Sequence, residues 1–168
     1  MTPRRFTVYV LPLLVWMLVI FGWSTDAGSA EHTRSWLQRL LSDLPLLRDL
    51  PPARILDIDY GIRKAAHITE YAILAVLAFR AVRRERQTFR DVDVWGVLLL
   101  CVAYAATDEL HQLTVASRFG TVGDVLYDTF GAMVGVVACL WLTARATASP
   151  APLDLMYSTA KSPPPPPA

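Results

Sequence analysis

Four apolar runs, residues 6–23, 62–82, 94–113 and 124–142, constrain this chain more than any other feature. Each is about the twenty residues that a helix needs to cross the roughly 30 Å hydrocarbon core of a bilayer. A spanning segment must satisfy its own backbone hydrogen bonds, so the expected fold is all-α. The pattern predicts an integral membrane four-helix bundle. Arg4 and Arg5 ahead of the first run, with Gly28-Ser29-Ala30 behind it, also fit a cleavable signal peptide. The run exceeds the usual 7–15 apolar residues of such a peptide, and Tyr9, Trp16 and Trp23 suit the aromatic belts of a retained helix.

Composition agrees with that reading. Hydrophobic residues make up 54% of the 168-residue chain and charged residues 18%, respectively above and below the averages of soluble domains. The net charge of +1 and the absence of a basic stripe exclude a nucleic-acid binder. Cys101 and Cys139 lie inside apolar runs, where cysteine behaves as a small hydrophobe rather than as a disulfide or metal ligand. Residues 1–145 form one transmembrane domain. Residues 146–168, rich in Ala, Ser and Pro and ending in five prolines, form a tail that cannot build a packed core and is expected to be disordered.

The connection 24–63 contains SWLQRLLSDLPLL, which sets Trp36, Leu37, Leu40, Leu41 and Leu44 on one helical face and Arg39 and Asp43 on the other. Such a helix either lies in the membrane interface or packs against the bundle. Pro51-Pro52 ends any helix there, and Asp57 and Asp59 lead into the second span.

Ionisable residues gather at particular span ends. Lys64, His67 and Tyr71 share a helical face at i, i+3, i+7, with Glu70 beside them. Asp108, His111 and Gln112 share another face, next to Glu109, at the end of the third span. The short turn 114–123 carries Arg118, and the fourth span opens with Asp124, Asp128, Gly131 and Gly135 on one side. Glycines at i, i+4 let a second membrane helix approach closely. With four spans, the first and third connections lie on the same side of the membrane whichever way the chain is inserted, and every one of these polar clusters adjoins them. Lys and Arg divide nine to seven between the two sides. The five arginines at 80, 83, 84, 86 and 90 make the second connection the cytoplasmic one, since the bias is read close to the spans. Both termini are then expected in the cytoplasm and the polar cluster outside.

Asp59, Lys64, His67 and Tyr71, followed by Asp108, Glu109 and Gln112, then Arg118, then Asp124, Asp128, Gly131 and Gly135, follow the order D-x4-K-x2-H-x3-Y, D-E-x2-Q, R, D-x3-[N/D]-x2-G-x3-G. This pattern, with WMLVIFGWS in the first span, resembles the VanZ-like proteins over residues 10–142. The resemblance implies a small multi-pass protein of the bacterial cytoplasmic membrane. It also links the chain to a family whose founding member is associated with resistance to the glycopeptide teicoplanin. Asp128 departs from the Asn usual in that family; a protonated carboxyl could donate the hydrogen bond of an Asn, an ionised one could not.

Three functional readings stay open. A binding module would use Lys64, Arg118 and His67 to engage an anionic head group of a lipid-linked cell-wall intermediate, or a glycopeptide. A membrane enzyme acting on a lipid-linked or peptidoglycan substrate would use His67, Asp108 and Glu109 as acid–base residues, with Glu70 or Asp108 tuning His67. A structural network would neutralise the charges in pairs to lock the helices, and His111 and Glu70 are the members most readily assigned to it. No ligand spacing matches a metal signature, so neither a metal nor a cofactor is expected. The lipid bilayer is the one partner that follows from composition, and the oligomeric state is open. A transporter is disfavoured, because no span is interrupted at its middle by Gly or Pro.

Overall fold

The computed structural model describes residues 2–26, 29–42, 50–83, 90–118 and 120–148. The described residues are all-α, in five helices: α1 (Pro3–Trp23), α2 (Ala30–Ser42), α3 (Pro52–Arg83), α4 (Asp91–Gln112) and α5 (Val122–Ala148). The Pro-rich tail beyond 148 and most of the arginine-rich connection, including residues 84 and 86, lie outside the described residues, as do Asp43 and Leu44.

Helices α1, α3 and α5 are long and apolar enough to cross a membrane. Helix α4 is of similar length but carries Asp91, Asp93, Asp108 and Glu109. Outward faces display Leu18, Trp95, Leu99 and Val137, apolar side chains suited to lipid contact rather than water.

Two prolines shape the helices. Pro12 has no N–H to bond the carbonyl one turn back and its ring crowds that turn. The backbone relaxes into a π-helical stretch over Phe6–Val10 within α1. Pro52 begins α3, where a missing N–H is no loss. Helix α3 therefore starts ten residues before the expected span, and Asp57 and Asp59 are helical. Its 32 residues reach about 48 Å, well beyond the hydrocarbon thickness. Helix α2 packs against α3 by burying Leu37, while Trp36 and Leu40 stay exposed.

The most extensive packing is between α3 and α5, which run parallel, with α4 antiparallel beside them. Their interface is lined by small residues: Ala75, Ala78 and Ala132 are fully buried. A Cβ at Gly131 would collide with the Ile68 carbonyl oxygen, and one at Gly135 with that of Ala72. Close backbone approach is the attractive term available in lipid, where apolar side chains gain little by leaving the solvent. Tyr71, Leu74, Phe79, Val97, Cys101, Ala105 and Val136 complete the core. Both cysteines are free thiols, Cys101 buried among these side chains. Helix α1 is held by two side-chain donors: Trp16 Nε1 bonds the Glu70 carbonyl at 2.9 Å, and the Tyr104 hydroxyl bonds the Met17 carbonyl at 2.6 Å. Trp16 is thus a helix-to-helix fastener.

Gly131→Ala must push α5 off Ile68 and is expected to destabilise the purified protein by about 1–3 kcal/mol. Gly96→Ala, with nothing within 4 Å of the added methyl, should leave the melting temperature unchanged or raise it. Thermal unfolding of the two variants in one detergent checks the contrast.

Candidate functional site

The polar residues of α3, α4 and α5 meet at one end of the bundle, beside the end of α1. Parallel α3 and α5 bring two pairs together. Lys64 on α3 is ion-paired with Asp124 on α5, and one turn deeper His67 Nδ1 lies 2.9 Å from Asp128 Oδ1. Asp128 has no exposed surface, and its other oxygen has no hydrogen-bond partner among the described residues. Lys64 is less enclosed; its ammonium sits 5.0 Å from the Tyr60 ring centre and 5.2 Å from that of Tyr127, within cation–π range.

Helix α4 brings its last turn against these pairs. Gln112 Nε2 bridges Asp108 Oδ2 and Glu109 Oε1, each at 3.2 Å, as the i−4 and i−3 spacings on one helix allow. The second Glu109 oxygen accepts the Thr121 backbone N–H at 2.7 Å. Thr121 stands just before α5, and its hydroxyl oxygen accepts the Asp124 N–H at 3.1 Å. T-V-G-D is thus a helix-start signature in which Glu109 of a neighbouring helix takes up the amide of the capping residue. Glu109, His67 and Asp128 each place one donor atom within 4.8 Å of the others. Asp108, Glu109, Gln112 and Asp124 are all buried.

Arg118 lies deeper than a loop arginine normally does. Its Nε donates to the Thr25 carbonyl at 3.2 Å and its Nη2 to the Trp23 carbonyl, so its planar fork closes the C-terminal end of α1. Burial, together with the nearby Arg63 charge, pulls its guanidinium below its ordinary value, against the opposing pull of Asp108, Glu70 and Glu109. In the same turn Ser117 donates to Asp26. His111 lies at the edge of the cluster, near Asp108: its Nδ1 is 3.2 Å from Ser24 Oγ, and its ring centre is 4.4 Å from that of Phe21, tilted by 35°.

Of the residues singled out in the sequence, Lys64, His67, Asp108, Glu109, Gln112, Asp124 and Asp128 form one connected region. Tyr71 is fully buried; its ring centre is 6.4 Å from that of Tyr104, and its hydroxyl has no partner among the described residues. Asp59 is buried too, and its Oδ1 has no hydrogen-bond partner among the described residues. Thr121, Tyr60 and Tyr127 were missed. Thr121 was legible as a cap, whereas the two tyrosines become visible only once α3 and α5 are set in register.

The VanZ/LLP1 family model matches residues 7–143, most of the chain. The chain belongs to the VanZ-like family. Its apolar helices and this membership make it a membrane protein. Searches of curated proteins and of solved structures give no match. In this VanZ-like chain Lys64, His67, Asp108, Glu109, Gln112, Asp124 and Asp128 come from three helices to one place, and Asp128 sits directly opposite His67.

Lys64 and Asp124 are partly shielded from water, at 18% and 8% side-chain exposure, so their coupling should lie between that of surface and fully buried pairs, about 1–3 kcal/mol. A double-mutant cycle with Lys64→Met and Asp124→Asn, read by unfolding in detergent, measures it.

Proposed function

We propose that this VanZ-like protein crosses the bacterial cytoplasmic membrane four times, with α4 as the fourth spanning helix and both termini inside. Residues 1–145 then form the membrane domain, and the polar end of the bundle faces outward. There it engages a lipid-linked cell-envelope intermediate or a glycopeptide such as teicoplanin. The observation that carries this reading is the convergence of Lys64, His67, Asp108, Glu109, Gln112, Asp124 and Asp128 at one end of three helices. Buried ionisable groups at membrane depth are costly and ordinarily mark a site. Two or three of them would suffice to lock helices.

The division of labour differs from a simple cationic pocket. Arg118 is committed to backbone carbonyls and Lys64 to Asp124, so neither is a free phosphate ligand. Lys64 with Tyr60 and Tyr127 offers the outermost contact, a charged centre flanked by half-exposed aromatic rings. Sugars and head groups of envelope intermediates fit that combination of ring faces and charge.

A second reading is favoured by one specific observation. Asp128 holds His67 by Nδ1, the arrangement that orients an imidazole and leaves its other nitrogen for proton transfer. In a membrane enzyme acting on a lipid-linked or peptidoglycan substrate, His67 is the acid–base group, with Glu109 and Asp108 beside it. Asp128, rather than Asp108, is then the residue that positions it.

Expression in a teicoplanin-sensitive bacterium tests the proposal. The wild type should raise the inhibitory concentration, and Asp108→Asn, at equal membrane abundance, should lose that protection. A wild type that gives no protection contradicts the glycopeptide role. The enzyme reading predicts in addition that His67→Gln abolishes turnover of a lipid-linked substrate while leaving its binding intact.

A further inference from the structure

The charges at the polar end do not balance. Lys64 neutralises Asp124, and the Arg118 guanidinium is directed at the carbonyls of Trp23 and Thr25. Glu70, Asp108, Glu109 and Asp128 remain, and the positive or protonatable groups acting on them among the described residues are Arg118, His67 and His111. Carboxylates withdrawn from water in this way need a compensating cation or a proton.

We propose that His67, Glu109 and Asp128 bind a divalent transition-metal ion of the zinc type. Their donor atoms lie within 4.8 Å of one another, one from each of three packed helices. A tetrahedral ion with bonds of about 2.0–2.2 Å spaces its ligands about 3.4 Å apart, so adjustments of about 1 Å in side-chain position close the site. The ion replaces the hydrogen bond between His67 Nδ1 and Asp128 Oδ1, which are 2.9 Å apart, and engages the Asp128 carboxylate through both of its oxygens. One imidazole with two carboxylates is a borderline donor set, suited to Zn²⁺ or Mn²⁺ rather than to Ca²⁺.

Two further observations support a ligand there. Asp128 is completely buried, yet one of its oxygens has no partner among the described residues, a position that a protein interior rarely leaves unfilled. Glu109 is already oriented by Gln112 Nε2 at 3.2 Å and by the Thr121 N–H at 2.7 Å, the outer hydrogen bonds that metal-binding carboxylates require. Three protein ligands leave the fourth position open to water or to a substrate oxygen, the pattern of a catalytic rather than a structural metal. The inference does not rest on the envelope-lipid reading; it needs only the geometry of these three side chains. Linear spacing could not reveal it, because no two ligands share a helix.

The test is direct titration of the purified, chelator-stripped protein in detergent with Co²⁺, followed by its displacement with Zn²⁺. One Co²⁺ per chain with four-coordinate visible absorption, displaced by one equivalent of Zn²⁺, is expected. Loss of a hydrogen-bond partner of a metal ligand costs roughly 10–100-fold in affinity. His67→Gln, Glu109→Gln and Asp128→Asn remove the ligands themselves, so each should weaken binding by at least the top of that range. Ser117→Ala, outside the set, should bind as the wild type does. X-ray absorption of the zinc-loaded wild type provides a readout independent of any variant's folding and should show nitrogen and oxygen ligands including an imidazole. A wild type that takes up no Co²⁺ overturns the proposal, as does a sulfur shell from Cys101 or Cys139, or binding retained in all three ligand variants.

Discussion

The close parallel approach of α3 and α5 governs this molecule. Gly131 lies on the Ile68 carbonyl and Gly135 on that of Ala72, so the two backbones meet where no side chain intervenes. In a membrane this contact matters more than in water, because burying leucine against leucine gains little over leucine against lipid. It also fixes register. With Ile68 set on Gly131, Lys64 falls on Asp124 and His67 on Asp128, and at the far end of the same helices Arg83 reaches the Thr143 hydroxyl at 3.0 Å. A packing decision made by two missing methyl groups therefore determines which charges meet.

Electrostatics then acts on what packing has placed. Partly screened Lys64 and Asp124 neutralise one another at the rim, but the deeper layer holds more carboxylates than cations. Purely structural locking predicts the opposite, a cluster whose charges close on themselves. The surplus of carboxyl groups, together with the Asp128 oxygen that has no partner among the described residues, gives this end of the bundle a demand for a proton or a cation. Helix α1 supplies its backbone as a further wall. Its last carbonyls hold Arg118, while Trp16 and Tyr104 tie its middle to α3 and to α4.

Much of this was readable in advance, and the parts that were not share a cause. Helical spacing placed Lys64, His67 and Tyr71 on one face and Asp108 and Gln112 on another, and the ordering of spans placed those faces at the same end. The i, i+4 glycines announced a close contact. What linear spacing could not supply was the pairing across helices: that His67 meets Asp128 and not Asp108, or that Arg118 turns toward carbonyls rather than carboxylates. Such pairings depend on register between segments 61 to 95 residues apart, which no local pattern encodes. The early start of α3 was hidden for a different reason, since the same proline that stops a preceding helix also starts one at its first turn. The bond from Trp16 to the Glu70 carbonyl was not legible, because belt tryptophans and partly buried donor tryptophans have the same residue type and differ only in what lies beside them.

The central claim is that the connections flanking α3 and α4 place the polar end of the bundle on one face of the membrane, the outer one. Labelling of single cysteines in intact cells by a membrane-impermeant maleimide tests this most directly. The probes are Ala53→Cys, Ala116→Cys and Asp91→Cys, all at exposed positions, in a background lacking Cys101 and Cys139. The account predicts that the cysteines at 53 and 116 react from outside and that the one at 91 reacts only after permeabilisation. Opposite sidedness of 53 and 116 would contradict the shared face. Protection of both until permeabilisation would keep the shared face and reverse the orientation, removing the outward site.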